Sequence, residues 1–269
     1  MKILSVVLLL PVFAQAASPY LPEPGQLQVT FNYAFDRYRN FKAGSVTTPL
    51  PGILNQNSLL PNLSYGITRR LAADFDTSFT RSSLPDVTLQ AVVNTSYGLR
   101  FQAWRNERLT LTVRAAGIRS EFYPLDLSNV ANGVIVSGFH GSAQLGIVLP
   151  KRTFAILDAG YIAYAKPARD RFVGSIFLGQ SRGRWTYYTG YQDNRATAGI
   201  DIASAQSVAV RFAEQRRVIG MFSIGAGHAL PKSIYLGATY SRWVTARNAP
   251  ESNSLAVTLG FRVRLRQAR

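Results

Sequence analysis

Apolar and polar residues alternate with a period of two along much of the chain. Over positions 26–38 the odd residues are almost all apolar and the even ones mostly polar. The apolar set is Leu27, Val29, Phe31, Tyr33 and Phe35. A helix would spread these side chains around its surface, whereas an extended strand places all of them on one face. The alternation recurs over 87–104, 108–117 and 253–265, which predicts an all-β protein of long strands.

The predicted strands number about twelve, at 26–38, 60–69, 73–83, 87–104, 108–119, 133–149, 154–165, 171–181, 184–194, 217–230, 233–245 and 253–265. Short turns alternate with longer loops, which we expect at 39–59, 120–132, 195–216 and 246–252. An even strand number and this asymmetry are typical of outer-membrane barrels, whose short turns face the periplasm. We therefore expect a transmembrane, antiparallel up-and-down β-barrel with both termini periplasmic. Segment 200–214 is equally compatible with a short helix, a strand extension or a loop folded into the pore.

Composition narrows the class of membrane protein. Hydrophobic residues make up 47% of the chain, charged residues only 16%, and the mean hydropathy is +0.02. A helical membrane protein needs spans of about 20 consecutive apolar residues, which such a chain cannot supply. A barrel needs only every second residue to be apolar. There is no cysteine, so disulfides and thiolate metal sites are excluded.

The N-terminus carries the features of a secretory signal. A positive start at Lys2 precedes an apolar stretch over 3–14, and Ala14-Gln15-Ala16 is a small-x-small cleavage site. We predict a cleaved signal peptide at 1–16 and an outer-membrane barrel at 17–269. The expected location is the outer membrane of a Gram-negative cell.

The formal net charge is +16. In a soluble protein this charge would indicate nucleic acid, but the export signal argues against that partner. We expect outer-membrane lipid and lipopolysaccharide, together with a small-molecule solute. The predicted short turns are uniformly basic, which suits anionic head groups. Trp104, Trp185 and Trp243 lie near strand ends, as in interfacial girdles, although aromatic residues favour strands in any case.

The last strand contains Thr258-x-Gly260-x-x-Val263-x-Leu265. This spacing resembles the signal that the barrel-assembly machinery recognises, so we expect that machinery to be a partner. Such signals usually end at a terminal Phe, whereas this chain continues to Arg269.

Two stretches carry a family resemblance. One is the strand–turn–strand unit Tyr65-Gly66-Ile67-Thr68-Arg69-Arg70-Leu71, and the other is Leu21-Pro22-Glu23-Pro24-Gly25 followed at once by a strand. Asp86-Val87-Thr88-Leu89 adds to them. Together they resemble the outer-membrane proteins named for the meta-pathway of phenol degradation, a group described as candidate transporters. These hairpin motifs are generic. The resemblance implies a phenolic or otherwise apolar substrate.

Charged residues on the predicted polar faces are the main candidates for function. By strand parity we expect inward-pointing side chains at Arg100, Arg114, Arg262, Arg264, Asp74 and Asp76. Rings of basic side chains favour anions in a pore. The alternative is that Arg and Asp pair across the lumen and fill it, as in small barrels.

His140-Gly141-Ser142 is the sequence feature that most resembles an enzyme site. The spacing places His140 and Ser142 on one face of a strand, and a histidine base beside a serine is how a hydroxyl is activated. Outer-membrane phospholipase A and lipid A deacylase use a similar pair that faces lipid and is followed by Asn. Here Ala143 follows, and Phe139 and Leu145 occupy the lipid face. We therefore expect a hydrogen-bonded pair inside the lumen and no catalytic residues.

The sequence contains no phosphate-binding glycine loop and no metal-ligand spacing, so we predict no cofactor and no metal. The favoured function is an outer-membrane pore or transporter that passes small apolar, aromatic or anionic solutes through a basic polar lumen. Two alternatives remain open. One is a lipid-modifying hydrolase that uses His140 and Ser142, and the other is a non-conducting structural or adhesive barrel.

Overall fold

A computed structural model describes residues 19–84, 87–122, 134–199, 201 and 216–265. The predicted signal peptide lies outside the described residues. So do most of the predicted loop 120–132 and all of segment 200–214 except Asp201.

The described chain forms a closed sheet of twelve antiparallel strands. They are β1 (Gln26–Ala43), β2 (Val46–Gly66), β3 (Leu71–Leu84), β4 (Val87–Arg105), β5 (Leu109–Phe122), β6 (Val134–Leu149), β7 (Thr153–Tyr164), β8 (Arg171–Arg182), β9 (Trp185–Ala196), β10 (Val218–Leu230), β11 (Ile234–Arg247) and β12 (Ala249–Arg264). Each strand pairs with its neighbours in sequence, and β1 pairs with β12. Closure leaves no unpaired strand edge, which is what a sheet needs in order to cross hydrocarbon. The predicted fold class is confirmed.

The two ends of the barrel differ in their connections. The turn end carries the connections 67–70, 106–108, 150–152, 183–184 and 231–233, together with the start of β1 and the end of β12. The loop end carries the connections 44–45, 165–170 and 248, together with the described residues 197–199, 201 and 216–217. The basic side chains predicted for the short turns are exposed at the turn end. That the turn end faces the periplasm stays a prediction.

Two predicted loops at the loop end are wrong. Segment 39–59 is a tight hairpin in which β1 and β2 meet at Gly44, whose φ is +59°. Pro49 and Pro51 interrupt the sequence pattern there, but a register shift after Tyr38 accommodates them within the sheet. Segment 246–252 is likewise a hairpin, with a turn at Asn248 (φ +50°). Asn tolerates this left-handed conformation better than most residues.

The barrel has an apolar outside and a largely polar inside. On β1, Phe31, Tyr33 and Phe35 are exposed, while Thr30 and Asn32 are buried. The large side chains that are buried completely are mostly polar rather than aliphatic. This is the inverse of a soluble core, because lipid takes the place of water around the outer face.

Two of the three tryptophans fit the predicted girdle. Trp104 and Trp185 are exposed on the outer face at the turn end. Trp243 does not fit, because the period-two pattern of β11 puts its ring inside, against Tyr38. In the part of the chain that is described, no helix is long and apolar enough to span a membrane.

Candidate functional site

The lumen is lined by two chemically different walls. The polar wall is formed by inward side chains of β2 to β7, namely Asn62, Ser64, Asp74, Asp76, Ser96, Arg100, Gln102, Thr112, Arg114, His140, Ser142, Gln144 and Asp158. The aromatic wall is formed by Phe154, Phe177, Tyr188 and Tyr235 on β7, β8, β9 and β11. Both walls follow from strand parity, since every second side chain points inward.

Ion pairs neutralise the two arginines of the polar wall. Arg100 Nε lies 2.7 Å from Asp74 Oδ2, and Arg114 Nη2 lies 2.7 Å from Asp76 Oδ2. Arg114 Nε is also 3.8 Å from Asp74 Oδ2. All these residues are buried. These ion pairs agree with the alternative given by the sequence, in which Arg and Asp side chains pair within the lumen. Arg100 and Arg114 therefore do not form a ring of net positive charge.

Hydrogen bonds extend the ion pairs into a network across several strands. Asp76 accepts bonds from Asn62 on β2 and, at 3.2 Å, from Ser96 on β4. Arg100 Nη2 donates to Ser64 Oγ at 2.7 Å, and Arg114 Nη2 donates to Ser96 Oγ at 2.7 Å. The network therefore links β2 to β5 on the inner face.

The remaining predicted arginines lie at the turn-end mouth, away from this network. Arg262 is half-buried near Glu23. The Arg264 side chain is 76% exposed and pairs with Glu23 at 3.5 Å. The alternation of side chains along β12 predicts that Arg264 points inward, but β12 ends at this residue. Its side chain therefore stands in the mouth rather than in the lumen.

His140 and Ser142 lie inside the lumen, but they do not form an activated serine. Arg114 Nη1 is 3.1 Å from His140 Nδ1, which must accept the bond because a guanidinium only donates. Within the described chain, His140 Nε2 is buried without a hydrogen-bond partner, so the expected hydrogen bond between His140 and Ser142 does not form. A neighbouring guanidinium also repels the positive charge that a histidine base gains when it takes a proton.

Asp158 lies beside Ser142, on the facing strand β7. The sequence offered no Asn or Glu there as a third member of a catalytic set. Asp158 cannot act as that third member, because its carboxylate lies next to the serine, whereas the orienting group of a catalytic set must contact the histidine.

Each ring of the aromatic wall covers a glycine of the neighbouring strand. Phe154 covers Gly179, Phe177 covers Gly190, Tyr188 covers Gly225 and Tyr235 covers Gly227. A Cβ at any of these glycines would overlap the ring. The side chains therefore lie along the wall instead of projecting towards the barrel axis. In the sequence, the glycines at inward positions were the signal for the aromatic wall. That signal can be recognised only when the register of the strands is known.

The entry segment, Pro19–Glu23, crosses the turn-end mouth. Thr112 Oγ1 donates a 2.6 Å hydrogen bond to the Pro19 carbonyl oxygen, and Pro19 and Tyr20 are buried. They occupy the space above Gly146 on β6, where a Cβ would lie 2.6 Å from Pro19 Cγ and 2.9 Å from the Tyr20 hydroxyl. The segment thus runs from β1 to β5 and β6 and narrows this mouth.

Among the residues that the structure describes, no group of three or more His, Cys, Asp or Glu side chains is arranged to hold a metal ion.

A closed twelve-strand barrel with an apolar exterior and a polar and aromatic lumen defines an outer-membrane, channel-like fold. Solved structures share it. An outer membrane channel from Pseudomonas putida F1 superposes with a TM-score of 0.71 at 14% sequence identity, covering 91% of this chain and 98% of that one. The translocator domain of the autotransporter NalP from Neisseria meningitidis gives 0.53 at 14% identity, with 88% of each chain covered. The porin NanC gives 0.52 at 10% identity, with 87% and 98% covered.

No family model and no curated protein sequence matches the chain. Membership of the phenol meta-pathway group therefore stays a prediction.

Proposed function

We propose that this protein is an outer-membrane channel for small solutes. The observation that carries the proposal is the division of the lumen into a polar wall whose arginines are paired and a facing aromatic wall, inside a closed barrel with an apolar exterior. The aromatic side chains lie over glycines of the neighbouring strands, so they do not project towards the barrel axis.

The two walls together suit small molecules that have both an aromatic or apolar part and a polar group. Rings such as Phe177 and Tyr188 offer apolar contact, while Ser and Gln side chains of the polar wall offer hydrogen bonds. Gln144 is fully buried, and neither of its side-chain polar atoms has a hydrogen-bond partner within the described ranges. Such buried polar atoms are typical partners of ordered water. The phenolic substrate implied by the family resemblance fits this chemistry.

The proposed location is the outer membrane of a Gram-negative cell, after removal of the signal peptide. The fold supports this location, and the exposed basic side chains of the turn end suit anionic lipid. Lipopolysaccharide and the barrel-assembly machinery are the partners that this location implies.

Single-channel recording in planar bilayers tests the proposal. The purified, folded protein should produce discrete conductance steps, and liposomes that contain it should take up phenol faster than empty liposomes. A folded barrel that produces neither result would contradict the channel and would favour a structural or adhesive barrel instead. Heat-unfolded protein at the same concentration is the control for bilayer damage.

A further inference from the structure

A basic and polar patch lies on the outer face of the barrel, towards the loop end of β11, β12, β1, β2 and β3. We call it the outer patch, and it consists of the outward side chains of Arg37, Asn55, Asn57, Arg81, Arg242 and Asn253. Its three arginines are exposed, whereas the alternating neighbours Tyr38 and Ser241 are buried inside the barrel. Charged side chains on this face are unexpected, because the outer face of a membrane barrel is otherwise apolar.

The strand register makes the outer patch one continuous surface. Arg37 lies opposite Asn253 on one side and Asn55 on the other. Asn253 in turn lies opposite Arg242. Residues directly opposite one another in an antiparallel sheet point to the same face, with their Cα atoms about 4.5–5.5 Å apart. Arginine and asparagine side chains therefore alternate across neighbouring strands.

The outer patch begins where the apolar belt of the outer face ends. On β1 the outward positions from Leu27 to Phe35 are all apolar or aromatic, and Arg37 is the next one. Ten residues of strand cover about 33 Å, and a strand tilt of about 40° reduces this to roughly 25 Å of height, the usual height of the apolar band. Phe35 and Leu255, which border the patch, are exposed. The outer patch therefore lies level with lipid head groups and next to lipid chains.

Two tyrosines orient asparagines of the outer patch. The Tyr33 hydroxyl donates a 2.7 Å hydrogen bond to Asn57 Oδ1, and the Tyr240 hydroxyl donates a 2.9 Å hydrogen bond to Asn253 Oδ1. Because each amide oxygen faces a tyrosine, the Nδ2 group, which is a donor, remains for a ligand. A guanidinium group also only donates. The outer patch therefore suits a ligand that is rich in acceptor oxygens.

The positive charge of the outer patch is not matched by nearby carboxylates. Within the described ranges, its three arginines form no ion pair with a carboxylate. Glu251 Oε1, close by on β12, lies 3.4 Å from Lys42 Nζ. Asp36 points inward, where it accepts a 3.2 Å hydrogen bond from Ser252 Oγ. The patch thus offers three cations to an anionic partner.

We propose that the outer patch binds the phosphorylated sugar head group of lipopolysaccharide, whose acyl chains then lie along Phe35 and Leu255. Guanidinium groups bind phosphates through paired, charge-assisted hydrogen bonds, which an ammonium group does not reproduce. The asparagine amides donate to sugar oxygens. A phospholipid head group also suits the arginines, but it has no sugar ring to meet the asparagines between them. This inference rests on the proposed outer-membrane location, for which it names the lipid-binding surface.

Native mass spectrometry of the purified full barrel in detergent tests the outer patch, with lipid A, the phosphorylated sugar and acyl part of lipopolysaccharide, as the probe. Dephosphorylated lipid A keeps the sugars and chains, and phosphatidylglycerol keeps a phosphate without the sugars. Lipid A should bind at least about tenfold more tightly than either, since one charged hydrogen bond or two uncharged ones contribute that much. If either comparison lipid binds as tightly as lipid A, or if lipid A does not bind, the proposal is wrong.

Substitutions locate the site. Arg37→Gln should weaken lipid A binding at least about tenfold, because it removes the central charge and its paired donors. Arg37→Lys should give an intermediate affinity because it keeps the charge alone. Arg195→Gln is the matched control, since it removes an arginine at the same end that is 57% exposed but lies 3.0 Å from Asp193. If Arg37→Gln binds lipid A as the parent does, the proposal fails. If that variant does not fold, the double variant Arg81→Gln/Arg242→Gln replaces it with the same expectation.

Conductance measured on the same preparation separates this inference from the channel proposal. A conducting parent that binds lipid A no better than phosphatidylglycerol would keep the channel and reject the outer patch as a lipopolysaccharide site. A non-conducting parent that binds lipid A through Arg37 would keep the site and reject the channel.

Discussion

At the scale of single residues, the polar wall is stabilised by charges that depend on one another. Arg114 contacts Asp76 at 2.7 Å, Asp74 at 3.8 Å, Ser96 at 2.7 Å and His140 at 3.1 Å. Removing it leaves the buried carboxylate of Asp76 without a cation, beside Asp74, which keeps its pair with Arg100. Losing one partner of a buried pair costs far more than losing an exposed pair.

We predict that Arg114→Met lowers the free energy of unfolding by about 3–5 kcal/mol, measured by urea titration in lipid micelles. Adding Asp76→Asn should restore part of the loss, because it removes the buried charge that has lost its partner. The control Arg195→Met breaks an exposed pair with Asp193 and should cost no more than about 1 kcal/mol. Similar losses for the two single variants would show that the network contributes little.

A second residue-scale prediction concerns the ring–glycine contacts. Gly179→Leu should push the Phe154 ring towards the axis, because the two side chains cannot occupy the same space. Single-channel conductance should fall roughly twofold or more as the lumen narrows. Gly174→Leu makes the same change on the outer face of β8, where a Cβ has room, and should conduct like the parent. Unchanged conductance in the Gly179 variant would mean that Phe154 does not border the passage.

At the scale of elements, one side chain joins three loop-end connections. Asn248, in the β11–β12 turn, accepts a 2.8 Å hydrogen bond from the Gly44 amide in the β1–β2 turn. Its Nδ2 donates to the Arg216 carbonyl oxygen at 2.9 Å and to Asp201 Oδ1 at 3.1 Å. The Arg247 guanidinium also holds Asp201, and this is the main reason the pKa of that carboxyl is below its ordinary value.

Replacing Asn248 with Gly removes these bonds and keeps a residue that accepts a positive φ. We expect the Gly44 amide to exchange with solvent deuterium roughly tenfold faster, because each bond contributes about 1 kcal/mol. The control is Asn106→Gly at the turn end, where Asn106 Oδ1 accepts from the Arg108 and Leu109 amides. That control should leave Gly44 protected. If the Gly44 amide exchanges at the same rate in the Asn248 variant and in the parent, Asn248 does not join these connections.

At the scale of the whole molecule, the entry segment crosses one mouth of the barrel. Its contacts with Thr112 and Gly146 lie across the lumen from the β1 strand that it precedes. A segment placed in this way restricts flow without any change in the barrel wall, so its removal should open the channel.

We predict that Gly146→Val expels Pro19 and Tyr20, because a side chain at this position would overlap both. Single-channel conductance should rise roughly twofold or more, since the mouth widens. Gly141→Val is the control, because it lies on the same strand, faces outward and has ordinary space around it. Conductance in the Gly146 variant no higher than in the control would mean that the entry segment does not limit flow.

The sequence predicted the strands because lipid outside and water inside make every second residue apolar. It predicted their facing only where the alternation is regular, which is not the case around 154–165, 171–181 and 217–230. Each of the twelve predicted strands overlaps an observed one, and Arg100, Arg114, His140 and Ser142 are buried inside the barrel. The two wrong loops were stretches where proline and asparagine interrupted the pattern, while backbone pairing continued across them.

Only the tertiary structure decided which inward residues meet. Arg114 and Asp76 lie on strands that are not adjacent, and Thr112 meets Pro19 far away in sequence. These contacts depend on the register and on closure of β1 against β12. Period-two patterning cannot encode them, because it gives the direction of a side chain without its height in the barrel. The sequence therefore determined a barrel with a polar interior. The fold decided that its lumen arginines pair with carboxylates, that its aromatic rings lie over glycines and that the entry segment Pro19–Glu23 crosses the turn-end mouth.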